Sequence, residues 1–330
     1  MTGRLAARRL AVASATVRAG AGALLVTDPR NIAYLTGFSG SGGAVLVEDD
    51  GDAVLCTDSR YELQVVDQAP DVGHVISREY VPGVLSRRRG PADAPLAVEA
   101  DHLTLSDSSA LRRALVEVGA ADAPIIETSG LVEQVRRAKD PDEIGLIERA
   151  CRVVDESWRH LLSHRLLAEG RSEREVAADL EHAMRRAGSD GVAFETIVAS
   201  GPNGAHPHHV PGDRLLSAGD LVVVDFGATV SGYASDCTRT VALGGAADRL
   251  LDAYEVVRRA QLAGVSAVRE GLSCSELDAV SRDIISDAGF GAYFGHSLGH
   301  GVGLDVHEAP AVSSRSASTL SDGDVITIEP

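Results

Sequence analysis

A single lysine, Lys139, stands among 330 residues, inside Arg136-Arg-Ala-Lys-Asp-Pro141. A phosphate-cradling loop needs a lysine directly after its glycines, and a pyridoxal enzyme needs one for its Schiff base. Lys139 has neither setting, so both classes are excluded. Cysteine is sparse and scattered, and Cys56, Cys151, Cys237 and Cys274 form no Cys-x-x-Cys pair. That argues against a thiolate zinc site and a disulfide framework, and leaves buried free thiols in a reducing cytoplasm as the expectation. Basic runs are short, none exceeding Arg87 to Arg89, and 31 Lys+Arg face 48 Asp+Glu for a formal charge of −17. Nucleic acid is therefore not an expected partner. No stretch approaches the roughly 18 uninterrupted apolar residues that span a bilayer. Arg18 also interrupts the N-terminal apolar run short of a signal peptide's core. A cytoplasmic protein with no membrane partner is expected.

What is present is the composition of a chain that buries a core, 44% hydrophobic with 24% charged residues, at a length suited to two domains. The segment Met1 to Ala19 reads as a helix. Ala23 to Thr27 reads as a strand, and Gly43 to Glu48 with Ala53 to Thr57 reads as a hairpin turning at Asp50-Gly51. Short runs at Val75-Ile76, Leu96 to Glu99 and Pro124 to Glu127 alternate with helical patterns at Tyr61 to Asp67 and Asp107 to Val118. The first part, 1–130, is expected to be a small α/β domain without a catalytic constellation.

The second part, 131–330, opens on a well-marked helix. Asp140 caps it, Pro141 fits the first turn, Glu143 closes a capping box, and Ile144, Ile147, Cys151, Val154, Trp158 and Leu161 form an apolar stripe. Ser172 with Glu175 begins a second helix, and Ala247 to Arg269 and Ser273 to Ala288 are two more. Leu221 to Gly227 and Tyr233 to Leu243 read as adjacent strands joined near Ser231-Gly232, and Val325 to Glu329 as another. The fold class expected is α+β, with helices packed on a largely antiparallel sheet.

Asp225 follows three valines in such a strand, where an ionised carboxylate is costly unless paired, hydrogen-bonded or bound to a cation. Asp236 lies beyond the hairpin turn, so strand pairing can bring the two carboxylates together, and a divalent ion is one way to keep both ionised. The ordinary alternative is that one of them faces solvent or caps a turn. Their company changes that reading. His300 lies in the glycine-rich Gly295-His-Ser-Leu-Gly-His-Gly-Val-Gly303, and Glu329 ends another apolar pattern. Two Asp, one His and one Glu make a mostly hard ligand set suited to manganese, iron, cobalt or zinc. Paired metals generate hydroxide and polarise carbonyls, so hydrolysis is the natural inference.

Several motifs then fall in order: Phe194-Glu-Thr-Ile-Val-Ala-Ser-Gly-Pro-Asn-Gly-Ala-His-Pro-His208-His, Val224-Asp225-Phe-Gly, Ser235-Asp236-Cys-Thr-Arg-Thr, His296-Ser-Leu-Gly-His300-Gly-Val-Gly-Leu-Asp-Val-His307-Glu, and Ile326-Thr-Ile-Glu329-Pro. With Asn31-Ile-Ala-Tyr-Leu-Thr-Gly-Phe-Ser-Gly40 and Thr57-Asp-Ser-Arg-Tyr61 before them, the chain resembles the pita-bread metallopeptidases of the Xaa-Pro aminopeptidase (aminopeptidase P) and prolidase branch. The resemblance implies a creatinase-like N-terminal domain, a pita-bread catalytic domain, and two divalent metal ions, manganese foremost, with cobalt, iron and zinc as alternatives. It makes Asp225 a ligand of one metal, Asp236 a bridge, and His300 and Glu329 ligands of the other, with Glu329 also relaying a proton. It places His208, His296 and His307 around the substrate. It further implies hydrolysis of the Xaa-Pro bond of a proline-containing peptide, and a homodimer.

Plainer readings stand beside these. His206 and His209, in a Pro/Gly-rich loop, are expected to be solvent-exposed, as is Arg315, whose alternative role would be to hold a dipeptide's free carboxylate. Gly295-His-Ser297-Leu-Gly299 also matches a nucleophile elbow, with Ala292-Tyr-Phe294 as the strand before it, which gives a serine-hydrolase alternative, although only 33 residues follow Ser297 and His300 and His307 lie too close to it for the usual triad order. A third alternative is a non-catalytic peptide-binding module on the same fold. The sequence stops at Glu329-Pro330, where the resembled family continues through a strand with a last bridging glutamate. On that comparison the catalytic domain is expected to be incomplete, one metal site weak, an edge unpaired and the chain impaired or inactive.

Overall fold

The structure is a computed structural model that describes residues 2–330, so Met1 lies outside the described residues. The chain divides into two compact units, Met1–Arg136 and Arg137–Pro330.

The first unit runs α1 (Thr2–Arg18), β1 (Ala23–Val26), α2 (Pro29–Thr36), β2 (Ala44–Glu48), β3 (Ala53–Thr57), α3 (Glu62–Gln68), β4 (Gly73–Ile76), α4 (Tyr80–Leu85), β5 (Leu96–Glu99), α5 (Leu105–Glu117), β6 (Ile125–Thr128) and α6 (Leu131–Arg137). Its six strands form one mixed sheet in the order β4-β3-β2-β1-β5-β6, antiparallel at β1/β2 and β2/β3 and parallel elsewhere. The central strand β1 is a bare apolar run because both of its faces are buried. One face packs Leu25, Leu46, Leu96 and Val98 against Val84 of α4 and Leu111 and Leu115 of α5. Helix α5 begins at Leu105, two residues ahead of the sequence expectation, because Thr104 caps it: the Thr104 hydroxyl accepts from Asp107 N, and the Asp107 carboxylate accepts from Thr104 N in return. Within the Asn31 motif, the buried Asn31 amide donates to Glu99 at 2.7 Å and Glu133 at 2.6 Å.

The second unit continues with α7 (Pro141–Ser163), α8 (Glu173–Arg186), β7 (Gly191–Val192), β8 (Ile197–Ser200), β9 (Leu221–Phe226), β10 (Ala228–Val230), β11 (Tyr233–Ala234), β12 (Cys237–Ala242), α9 (Asp248–Ala267), α10 (Cys274–Asp287), β13 (Gly299–Gly301) and β14 (Glu308–Val312). The pairing is antiparallel throughout, in three small sheets: β11-β10-β7, β12-β9-β8 and β13-β14. Strands β10 and β11 turn at Ser231-Gly232, both at positive φ. Ala150, Val154 and Leu161 of α7, Leu180 and Met184 of α8, and Val222, Val224 and Phe226 of β9 share one core. A second core joins α9, α10, Leu298 and Val312. Among the described residues no helix is long and apolar enough to cross a membrane.

Two expectations are corrected here. Cys151 is exposed: its helix turns Ala150, Val153 and Val154 inward instead, so only Cys56 and Cys274 are buried thiols, with Cys237 partly covered. Val325 to Glu329 is not a regular strand. It runs beside β13 through three backbone bonds, Val302 N to Val325 O, Thr327 N to His300 O and Glu329 N to Leu298 O, and only Ile326 bridges, to Gly301.

Candidate active site

The alternation of β9 decides where Asp225 goes. Val222, Val224 and Phe226 point into the core and are buried, so Asp225, like Val223, lies on the opposite face. Thr238 of β12 is its direct cross-strand partner, and the Thr238 hydroxyl donates to Asp225 Oδ1 at 2.9 Å. Asp236 sits one residue before β12. His300 enters on β13, and Glu329 arrives along the extended segment beside that strand.

These segments bring three side chains into contact. His300 Nε2 lies 2.9 Å from Glu329 Oε1 and 3.6 Å from Asp236 Oδ2, and one ligand atom from each of the three falls within 4.8 Å of the others. The side chains of Asp236 and His300 are only 12% and 14% exposed. His300 Nδ1 is 3.0 Å from the Gly301 carbonyl, which only accepts, so Nδ1 carries a proton and Nε2 is the atom turned to the carboxylates. The Thr327 hydroxyl donates to Glu329 Oε1 at 2.8 Å.

The electrostatics are those of crowded anions. Burial pushes Asp236 up to about 7, reinforced by Asp225 and Glu329. It pushes Asp225 up to about 6, against the Thr238 hydroxyl and with Glu329 adding to it. Glu329 is also raised by burial, but its hydrogen bonds from His300 and Thr327 outweigh that and hold it below the ordinary value. The same contact with Glu329 raises His300 despite burial. Partly buried hard oxygen donors with one imidazole, short of positive charge, are a donor set that fits a divalent cation.

The remaining histidines surround this cluster. The His307 ring stands 4.2 Å from that of His300. His208 is exposed and close enough to stabilise the Asp225 carboxylate and to lower His307 electrostatically. His296 acts likewise on Glu329, and its ring meets Phe294 edge-on at 4.9 Å. Each of these segments is tied down by a buried charge. Arg282, paired with the wholly buried Asp278, donates to the carbonyls of Phe294 and His296. Lys139 Nζ meets Glu308 Oε2 at 2.8 Å, beside His307. Glu173 holds the loop of His208.

The anchors escaped the sequence reading. Lys139 stands out in the sequence only by its scarcity, and Glu173 follows the N-cap Ser172 without any local signal. The expected exposure of His209 is wrong: its ring is 17% exposed, with Nε2 2.7 Å from Glu173 Oε2, because that buried carboxylate needs donors. His206 and Arg315 are exposed, as expected. The elbow reading of Ser297 fails on backbone: a short 3₁₀ turn, Gly291–Tyr293, stands where the strand is required, and strand β13 stands where the helix is required.

The family model "Metallopeptidase family M24" matches residues 145–330. The chain belongs to metallopeptidase family M24. The model for the creatinase/prolidase N-terminal domain matches residues 8–138 of the same chain. The M24 unit is therefore the pita-bread fold, carried behind a creatinase-type α/β domain. A curated relative described as an uncharacterized peptidase, YqhT of Bacillus subtilis, is 39% identical over 309 residues, 93% of this chain and 85% of that one. The solved structure of an Xaa-Pro dipeptidase from Bacillus anthracis superposes with a TM-score of 0.90 at 37% identity, over 98% of this chain and 90% of that one. An X-Pro aminopeptidase from Thermotoga maritima gives 0.85 at 33%, over 95% and 89%. Coverage of that extent lends no support to the expectation of an impaired chain.

Proposed function

We propose that this metallopeptidase hydrolyses the Xaa-Pro bond of dipeptides or of peptide N-termini, using divalent metal held by Asp225, Asp236, His300 and Glu329. The observation that carries the reading is the convergence of Asp236, His300 and Glu329 ligand atoms within 4.8 Å from three separate segments. The dipeptidase and aminopeptidase described above supply the substrate class. When bound, a divalent ion supplies Lewis acidity toward a carbonyl and acidifies water.

The chain's own groups do the rest. Asp236, His300 and Glu329 would hold one ion, and Asp225 and Asp236 would hold a second. Glu329 takes up the proton of the attacking water, helped by the Thr327 hydrogen bond that orients its carboxylate. His208 and His307, on the open side, bind the scissile peptide and pass a proton to the leaving proline nitrogen. Proline makes a tertiary amide with no N–H, so the pocket reads ring shape and not a donor.

Manganese is placed first among the metals, with cobalt, iron and zinc behind it, and a cytoplasmic homodimer completes the reading. The test is hydrolysis of Ala-Pro and Ala-Pro-Xaa with each metal supplied, beside metal content and light scattering. Turnover that disappears in Asp236→Ala is expected. Binding of Ala-Pro without cleavage under every metal would overturn the enzyme in favour of a peptide-binding module.

A further inference from the structure

Glu173 is the first residue of α8, and its side chain is wholly buried at 0% exposure. Its Oε1 accepts from Ser200 N at 2.8 Å, Ser200 Oγ at 2.7 Å and Asn203 Nδ2 at 2.9 Å. Its Oε2 accepts from His209 Nε2 at 2.7 Å and Gly212 N at 3.3 Å. Every one of these donors comes from the segment Ser200 to Gly212, which contains His208. Between the clamped Asn203 and the clamped His209, the backbone closes twice, His206 N to Asn203 O at 2.9 Å and His209 N to His206 O at 3.1 Å. Residues Gly204 to His208 are themselves exposed. The loop is thus held at both ends by one carboxylate, with His208 next to one of those ends.

We propose that Glu173 is a positioning residue for the hydrolysis, fixing His208 over the site by holding Asn203 and His209 on a single carboxylate. The inference rests on the reading of His208 as a substrate-facing residue. The charge and shape of the side chain both matter. An ionised carboxylate is acceptor-only at both oxygens, so it takes donors from both ends of the loop. A glutamine in its place keeps the volume but turns an N–H₂ toward Gly212 N, and the contact with His209 survives only if that ring gives up its Nε2 proton, so the second end is weakened. Displacement of a reacting group by about an ångström costs up to roughly 100-fold in rate.

The experiment is a double-mutant cycle between Glu173→Gln and His208→Ala in the full chain, with metal content and thermal unfolding recorded for each protein. Glu173→Gln is expected to lower kcat roughly 10- to 100-fold with little change in KM or metal content. In the His208→Ala background the same change is expected to cost less than about twofold, because its effect runs through His208. Equal losses in both backgrounds would make Glu173 a general structural residue and overturn the inference, as would undiminished kcat in Glu173→Gln. Unchanged turnover in His208→Ala alone would instead sink the reading of His208. Should Glu173→Gln fail to fold, His209→Ala keeps the carboxylate, removes one end of the clamp and carries the same cycle. Histidine-selective NMR reads the coupling without turnover. The His208 ring signal, identified by its loss in His208→Ala, is expected to shift or broaden in Glu173→Gln, and an unmoved signal overturns the inference.

Discussion

From directly across the β9–β12 ladder, the Thr238 hydroxyl donates to Asp225 Oδ1 at 2.9 Å. That bond fixes one oxygen of the carboxylate and leaves Oδ2 free of it. Groups that orient a metal ligand in this way are typically worth about 10- to 100-fold in affinity or activity. Thr238→Val keeps the shape on an exposed strand position and removes the donor. Manganese affinity measured by titration calorimetry is expected to fall by about that factor. An unchanged affinity would mean that Asp225 needs no orienting partner.

Metal removal should be visible in stability as well as in activity. Asp225 and Asp236 are raised to about 6 and about 7 by burial and by the anions around them, a condition that a bound cation relieves. Binding to the folded chain alone stabilises it by about 2.7 kcal/mol when the ion is present at 100 times its Kd. Chelation is therefore expected to lower the melting temperature and manganese to restore it. A melting temperature indifferent to both treatments would argue against a metal at this cluster, and Asp236→Ala should abolish the metal response in any case.

Glu173 predicts an acid-side loss of stability. Burial raises its carboxyl, but the donors from Ser200, Asn203 and His209 outweigh that and hold it at about 2, against an ordinary 4.5. A group depressed in the folded state stabilises it fully above the unfolded value and ceases to do so as pH falls through the folded value, so the window runs from 4.5 down to about 2. The shift corresponds to on the order of 3 kcal/mol at neutral pH. Urea unfolding of the wild type and Glu173→Gln should show a gap that is constant from pH 7 to above the unfolded value of 4.5 and narrows below it toward pH 3. A gap that stays constant below that value as well would show that the carboxylate's charge is not what stabilises the loop.

The parts of this site legible in sequence are those whose chemistry is odd in its local setting. Asp225 after three valines, His300 among glycines and Glu329 after Ile-Thr-Ile each announce themselves, because an anion or an imidazole in an apolar strand asks for a partner. Capping boxes at Asp140 and Ser172 gave the helix starts for the same reason, since the whole interaction lies within four residues. The anchors are illegible because their partners are remote: Glu173 meets His209 across 36 positions and Lys139 meets Glu308 across 169. Solvent exposure was the natural reading of His209 only because nothing local shows the carboxylate beneath it. Periodicity errs in the opposite direction at Cys151, which it places on the buried stripe one residue away from Ala150, the side chain that is buried.

Lys139 is the sharpest case. The only lysine in the chain has a side chain 1% exposed, 2.8 Å from Glu308 Oε2, while Glu308 Oε1 accepts from Asp305 N at 3.0 Å. The pair thus joins the residue before α7's cap to the turn that presents His307. Removing one partner of a buried pair leaves the other's charge less compensated, at a cost of about 3–5 kcal/mol, whereas replacing both is far milder. Lys139→Met is expected to lower the unfolding free energy measured by urea titration by that order, and Lys139→Met with Glu308→Gln to recover part of the loss. The same geometry gives a chemical readout. An amine-acylating reagent should leave Lys139 unlabelled in the folded protein, and Lys139 should react only as the chain opens, at a rate that rises with urea. Mass spectrometry showing Lys139 acylated equally fast in native buffer would mean that the ammonium is not held by Glu308, and that the His307 turn owes its position to something else.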